Sequence, residues 1–343
     1  MRRTFLGHLA VVGAAGVLAA ALAGGDARAQ DTRDYILATA TTGGTYYPVG
    51  VALATLAKVK LEPTEGISMS AISSAGSGEN VKLMRENQAQ FAILQGLFGA
   101  WAADGSGMLE AEGPQPNLRS ISMLWVNVEH FVVTRDMAKT GTVDDLADFN
   151  GASFSIGARN SGTEGSGRAI LAGLGIEPEE VFDVVYLGYT PSAEALQNGT
   201  IKGANLPGGV PVSAIAQAYA ALGDNLVILE FTEEQIERAN SQFELWPRYE
   251  IPAGVYPGQD EPVTTIAQPN FLAVNEDIDE EDVYLITKTM YENLPFLHNI
   301  HAATRDMELE QALAGLPIPL HPGAVRFYEE VGLEIPDRLR PPA

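Results

Sequence analysis

An α/β fold in two lobes, each a mixed and mostly parallel sheet flanked by helices, is predicted by three observations. Short apolar runs alternate with segments of helical period along most of the chain, a rhythm that packs as parallel strands joined by right-handed crossovers. The chain has 343 residues, beyond the size at which a single core keeps growing, so two domains are expected. Glycine- and hydroxyl-rich turns also recur where a strand hands over to a helix.

The first unit opens with an apolar run at 35–39, closed by Thr41-Thr42-Gly43-Gly44, after which Val49, Leu53, Leu56 and Val59 recur near helical spacing. Thr45 is a natural N-cap, and Pro48 falls in the first turn, where its missing N–H does no harm. The unit repeats as a strand over 67–72, a polar turn over 73–78 and a helix over 79–86. Residues 91–94 form the next strand, and Gln95-Gly96 opens a helix to 103. A β-rich stretch spans 121–133, and a second domain is expected to start near 130. There, 152–156 reads as a strand, 157–162 as a turn and 163–174 as a helix stopped by Gly175. Thr190-Pro191 starts a helix that Asn198-Gly199 ends. Pro247, Pro252, Pro257 and Pro262 make 244–262 a long ordered loop. A strand at 270–274 follows, then an amphipathic helix marked by Val283, Ile286, Met290 and Leu294, and a last helix through Phe327 and Val331. The expected layout is a signal peptide over 1–29, lobe I over 31–129 with 268–343, and lobe II over 130–267.

The leader is read from Arg2-Arg3, an apolar run over 9–22 and Ala27-Arg28-Ala29, the three parts of a secretory signal. Arg2-Arg3 also fits the twin-arginine route, so export by either pathway into the periplasm is expected, with a mature chain from about Gln30. Losing Arg2, Arg3, Arg28 and Asp26 takes the net charge from −23 to about −25. So acidic a surface repels nucleic acid and anionic lipid. With no cysteine, disulfides, thiolate nucleophiles and cysteine metal sites are all excluded. No apolar run after residue 22 reaches the roughly 18 residues that span a bilayer, so no stable membrane insertion of the mature chain is expected.

Three turns carry the functional reading: Gly43-Gly44-Thr45-Tyr46-Tyr47, residues 73–80 and Ser161-Gly162-Thr163. A helix N-terminus offers unpaired N–H donors and partial positive charge, so three converging ends would hold a carboxylate without a basic side chain. Any one alone is an ordinary capped turn. The glycines of 162–167 fit neither the dinucleotide nor the P-loop spacing, and no Gly-x-Ser-x-Gly occurs. His298 and His301 are three apart without a third ligand nearby, which favours structural histidines. His130 beside Glu129 is either a hinge contact or a buried hydrogen-bonded residue. Trp125, Tyr189 and Trp246 read as core, whereas Tyr256, in a Gly254–Gly258 loop without core period, reads as a cleft residue.

Together, Gly43 to Gly50, the serine-rich turn ending in Asn80, Ala92 to Gln95, Asp145-Leu146, Ser161-Gly162-Thr163-Glu164, and the 254–258 loop before Thr264-Thr265-Ile266 resemble the TAXI family of TRAP transporter solute-binding subunits, in order along nearly the whole mature chain. The resemblance implies a type II periplasmic-binding-protein fold that closes on its ligand in the cleft. It also implies delivery of a small acidic solute, a glutamate-like amino acid or a dicarboxylate, to a sodium-coupled TRAP membrane permease. It implies no cofactor and a monomer. Carried over by position, the ligand contacts are Thr45, Tyr46, Ser74, Gln95, Ser161, Gly162, Thr163 and Tyr256; Gly44, Asn80 and Pro207 join them as candidate contacts, and Arg159 is expected as a bidentate partner of the ligand carboxylate whose loss would weaken binding more than about tenfold. Arg159, Lys202-Gly203 and the 205–209 segment depart from the family pattern in the second lobe. Two rivals stand beside this reading: a sensing module for a membrane kinase, and an enzyme using Glu164 or His130 as base, for which no nucleophile at recognisable spacing is present.

Overall fold

The structure is a computed structural model that describes residues 32–342; the expected leader over 1–29 lies outside them. Eleven strands are described: β1 (Arg33–Ala38), β2 (Ile67–Ile72), β3 (Phe91–Gln95), β4 (Leu118–Val128), β5 (Phe131–Thr134), β6 (Ser153–Ser155), β7 (Asp183–Val185), β8 (Gly203–Asn205), β9 (Leu226–Ile228), β10 (Arg248–Ile251) and β11 (Val263–Asn275). They build two sheets. In the six-stranded sheet the order is β10-β11-β3-β1-β2, with β4 also paired to β11; the five-stranded sheet runs β7-β6-β8-β5-β9.

In each sheet the parallel core is what the strand and helix rhythm predicts: β1 pairs in parallel with β2 and β3, and β6 with β7 and β8. The antiparallel pairings are those of β11 against β3, β4 and β10, and of β5 against β8 and β9. β3, Phe-Ala-Ile-Leu-Gln, is buried at every position because the sheet is covered on both faces, so it reads as an unbroken apolar run instead of an alternation.

The predicted β-rich stretch resolves into β4 and β5, parted by Glu129 and His130. The chain passes from one sheet to the other across those two residues. Their main chain stays bonded: Glu129 N–H donates to Ile266 O at 2.9 Å, and His130 O accepts from Leu206 N at 3.0 Å. The loop predicted over 244–262 contains a strand instead, β10, which pairs with β11 over Ile251 and Val263. Pro247 and Pro252 flank it and β10 lies at the sheet edge, so neither proline removes a ladder bond.

Helices follow the carboxyl ends of the parallel strands: Tyr46–Lys60 after β1, Ser77–Arg85 after β2, Gly96–Asp104 after β3, Gly162–Leu174 after β6 and Tyr189–Gln197 after β7. Two helices begin close to the predicted residues, Gly162 for 163 and Tyr189 for 190. Gly175 ends the first in the left-handed conformation, φ +78°, as expected of a glycine at that position. Such strand ends are where open α/β sheets place their ligand crevice. One large cluster fills the first sheet and part of the second, with Trp125, Phe98 and Phe271 at 0 to 2 % exposure. A second cluster gathers Ala204, Ile215, Tyr219 and Tyr256.

Candidate functional site

Four helices begin on the wall of one cavity, which lies between the two sheets: Tyr46–Lys60, Ser77–Arg85, Gly162–Leu174 and Tyr189–Gln197, of which the last has its first N–H turned to Thr41 Oγ1 at 3.5 Å. Among the described residues, the N–H groups of Tyr46, Ser77, Gly162 and Thr163 donate no hydrogen bond, as the geometry of a helix start dictates. Each end adds partial positive charge. The turn before the second helix needs Gly76, at φ +128°, whose Cα side faces the Gly162 N–H. No lysine, arginine, aspartate or glutamate lines the cavity.

The rest of the wall is neutral and polar. Tyr46 donates to Asn270 Oδ1 at 2.5 Å, and Asn270 Nδ2 donates to Asn127 Oδ1 at 3.2 Å. Asn127 Nδ2 and Gln95 Oε1 are left buried with no partner, one donor and one acceptor on the wall. Tyr189 donates to Pro207 O and lies 3.1 Å from Thr163 Oγ1. Burial raises the phenols of Tyr46 and Tyr189 far above the usual range, so both stay neutral donors.

The lobes meet around the cavity mainly through backbone. Glu79 N–H donates to Asn160 O at 2.9 Å, Ala214 N–H to Gly43 O at 3.0 Å, and the Thr45 hydroxyl to Gly209 O at 3.1 Å. Thr45 is therefore the N-cap by position but not by its side chain, which reaches across to the other lobe. The space left between them is about 20 Å³, room for one or two waters.

Of the predicted contacts, Gly44, Thr45, Tyr46, Gln95, Gly162, Thr163 and Pro207 are on the wall, and Ser161 caps the third helix by accepting from Glu164 N at 2.9 Å. Four residues stand elsewhere. Asn80 is fully buried and donates to Thr39 O at 2.7 Å and Ile93 O at 3.0 Å, tying the ends of β1 and β3; Ser74 Oγ lies 2.6 Å from its Oδ1. Tyr256 belongs to the core: it stacks on Tyr219 at 5.8 Å, accepts from Val212 N and bonds His130 Nε2 at 2.9 Å. Arg159 is exposed, lies over the Tyr186 ring at 3.6 Å and lines a separate groove beside Glu79. From that position Arg159→Ala should change ligand affinity by less than about threefold in a calorimetric titration, the range of ordinary surface substitutions. Lys202 makes an exposed ion pair with Asp136 at 2.8 Å, also away from the cavity.

The sequence did not single out Ser77, Asn127 or Gly208 as wall residues, and read Tyr189 as core. Ser77 had a signal, since its hydroxyl sits at the start of a helix; Asn127 had none beyond being polar in an apolar run. Neither candidate base of the enzyme reading is on the wall. Glu164 accepts from Asn160 N at 2.7 Å and pairs with Arg168, and burial pushes His130 down to about 3, leaving it neutral.

Behind Asn127 lies Glu129, with no exposure. Burial raises its carboxyl to about 7, against the opposing effect of the hydrogen bond from Asn205 and of the nearby polar Ser166 and Gln268. Between pH about 4.5 and 7 the unfolded chain has lost this proton while the folded chain keeps it, so folding stability falls as pH rises through that window. Glu129→Gln should remove this slope. Urea midpoints at pH 5 and pH 8 should show the variant gaining on the parent at the higher pH; parallel curves would refute the assignment.

The comparisons with known proteins agree with this architecture. The family described as NMT1-like matches residues 37–332. MatC from Rhodopseudomonas palustris, solved with bound malate, superposes with a TM-score of 0.51 at 14 % identity, over 87 % of this chain and 96 % of its own. A Bordetella bronchiseptica protein of solved structure gives 0.53 at 12 % identity, over 90 % and 91 %. A looser likeness, 0.45 at 13 % identity over 87 % and 83 %, is to the periplasmic aliphatic sulphonate binding protein SsuA from Escherichia coli. The fold is thus shared with MatC and the Bordetella protein.

Proposed function

We propose, for a chain that belongs to the NMT1-like family, the role of an extracytoplasmic solute receptor that binds a small carboxylated molecule between its lobes and passes it to a membrane permease. One observation carries the reading: three helix N-termini with spare N–H groups converge on a cavity that has no charged side chain. That arrangement suits one carboxylate held by backbone donors. Malate, bound in the structurally similar MatC, is of the expected class.

The finer parts of the proposal are a glutamate-like amino acid or a dicarboxylate as cargo, a TRAP-type sodium-coupled permease as partner, and a periplasmic, monomeric, non-enzymatic protein exported by the Sec or twin-arginine route. Lobe borders near 130 and 267 belong to the same reading. In support, no helix among the described residues is long and apolar enough to cross a membrane. The wall also offers donors and acceptors without a nucleophile and base in contact.

A thermal-shift screen of amino acids, dicarboxylates, 2-oxo acids and sulfonates tests it. A ligand at a hundred times its Kd adds about 2.7 kcal/mol, several degrees in Tm. The expected result is a shift with one acidic compound that is recovered unchanged. No shift across the panel, with no small molecule released from denatured protein by mass spectrometry, would sink the proposal.

A further inference from the structure

Along β4 and β11, under the cavity, runs a file of amides that ends at a carboxylate. Asn127 and Gln268 face each other in register across the two strands. Asn270 bonds Asn127 from one side, and Glu129, two residues beyond Asn127 on the same face, closes the file at the other. Glu129 Oε2 accepts from Asn205 Nδ2 at 3.2 Å. Its Oε1 has no partner: Ser166 Oγ and Gln268 Nε2 stand close enough to influence it, yet neither completes a hydrogen bond.

No ion pair among the described residues involves Glu129, although it is fully buried. An uncompensated carboxylate in such a place is costly unless a proton or a positive charge meets it. Its field reaches the cavity, since after burial itself it helps raise both wall phenols, Tyr46 and Tyr189. On the wall itself, Gln95 Oε1 is a second acceptor without a donor.

The helix ends supply donors for one carboxylate. A second carboxylate on the same molecule finds no cation on the wall, and Glu129 behind it repels it as a like charge whenever that carboxyl is ionised. An ammonium finds an attractive charge and free acceptors there. Resting on the receptor reading above, we propose that Glu129 determines the specificity of the cavity, selecting carboxylates that also carry an ammonium group, the α-amino acids, over 2-oxo acids of the same skeleton.

Matched pairs isolate that one group. Calorimetry on the purified protein with L-glutamate against 2-oxoglutarate, and L-norvaline against 2-oxovalerate, should show the amino acid of the binding pair at least about tenfold tighter. Glu129→Gln should bring the two within about threefold, chiefly by weakening the amino acid. If Glu129→Gln does not fold, Glu129→Asp withdraws the charge by one methylene and should weaken the amino acid while sparing the oxo acid. Equal or tighter binding of the oxo acid by the parent protein, or a preference that survives Glu129→Gln, overturns the role of Glu129 and leaves the receptor reading standing. Equal losses for both ligands in Glu129→Asp have the same meaning. Binding of neither member of any pair, nor of any other carboxylate, removes the receptor reading and this selectivity together.

Discussion

Gly162→Ala should weaken ligand binding by about tenfold or more while the protein stays folded. A methyl group there would lie 2.8 Å from Gln95 Cδ and Oε1 and 2.8 Å from Ser77 Oγ, all on the facing lobe. Gln95 and Ser77 are 3 % and 1 % exposed, and Ser77 cannot swing aside without breaking the bond that its Oγ accepts from the Gln95 backbone N–H at 3.1 Å. The three atoms nearest the new methyl all belong to the facing lobe, and alanine suits a helix start. The clash therefore penalises only the closed arrangement, and a ligand that gains its affinity from contacting both lobes loses it by the same amount. Titration calorimetry gives the affinity, and small-angle scattering with saturating ligand should find a larger radius of gyration than for the parent. An affinity within twofold of the parent would mean that the lobes need not approach this closely.

The second large effect falls on stability. Asn80→Ala leaves Ile93 O without its side-chain donor and takes one of two from Thr39 O, which keeps Ser74 Oγ at 2.9 Å; it also removes the partner that lies 2.6 Å from Ser74 Oγ. A buried acceptor stripped of a donor costs about 1–3 kcal/mol, so a loss on the order of 2 kcal/mol is expected. For a chain of this size, that corresponds to a fall in Tm of roughly 3 °C. Ser74→Ala, at the half-buried end of the same network, should cost less than half as much. A midpoint unchanged in Asn80→Ala would show that the clip between β1 and β3 contributes nothing net.

Asn80 also shows what a sequence can and cannot give. The strand, turn and helix units were legible because period and punctuation are local properties, and the convergence of three helix starts follows once the strands are parallel. Which polar side chain at such a start faces the cavity is not local. Asn80 turns inward to strand carbonyls and Ser77, three residues earlier, takes the wall. Arg159 was drawn to the site by its neighbours in sequence, but Tyr186, on the other side of the Gly162–Leu174 helix in the chain, holds it by a face-on contact. Tyr256 lacked a core-facing period because it enters the core from a loop, where no period exists. Asn127 and Glu129 were hidden for the opposite reason: they sit in and just after a buried strand, where an apolar run gives no hint that its polar members line up with Gln268 and Asn270 of a strand 140 residues away.

The clasp between the lobes has a bearing on how such a protein can change over generations. Two of its bonds, Glu79 N–H to Asn160 O and Ala214 N–H to Gly43 O, join main-chain atoms that every residue but proline can supply. Most substitutions at Glu79, Asn160 and Ala214 leave them in place, while Gly43, at φ +88° and with Thr190 against its Cα, must stay glycine. The cavity side chains, Gln95, Asn127, Thr163 and Tyr189, enjoy no such protection. A lineage built this way can trade one cargo for another by altering a few side chains, while inheriting its clamp unchanged.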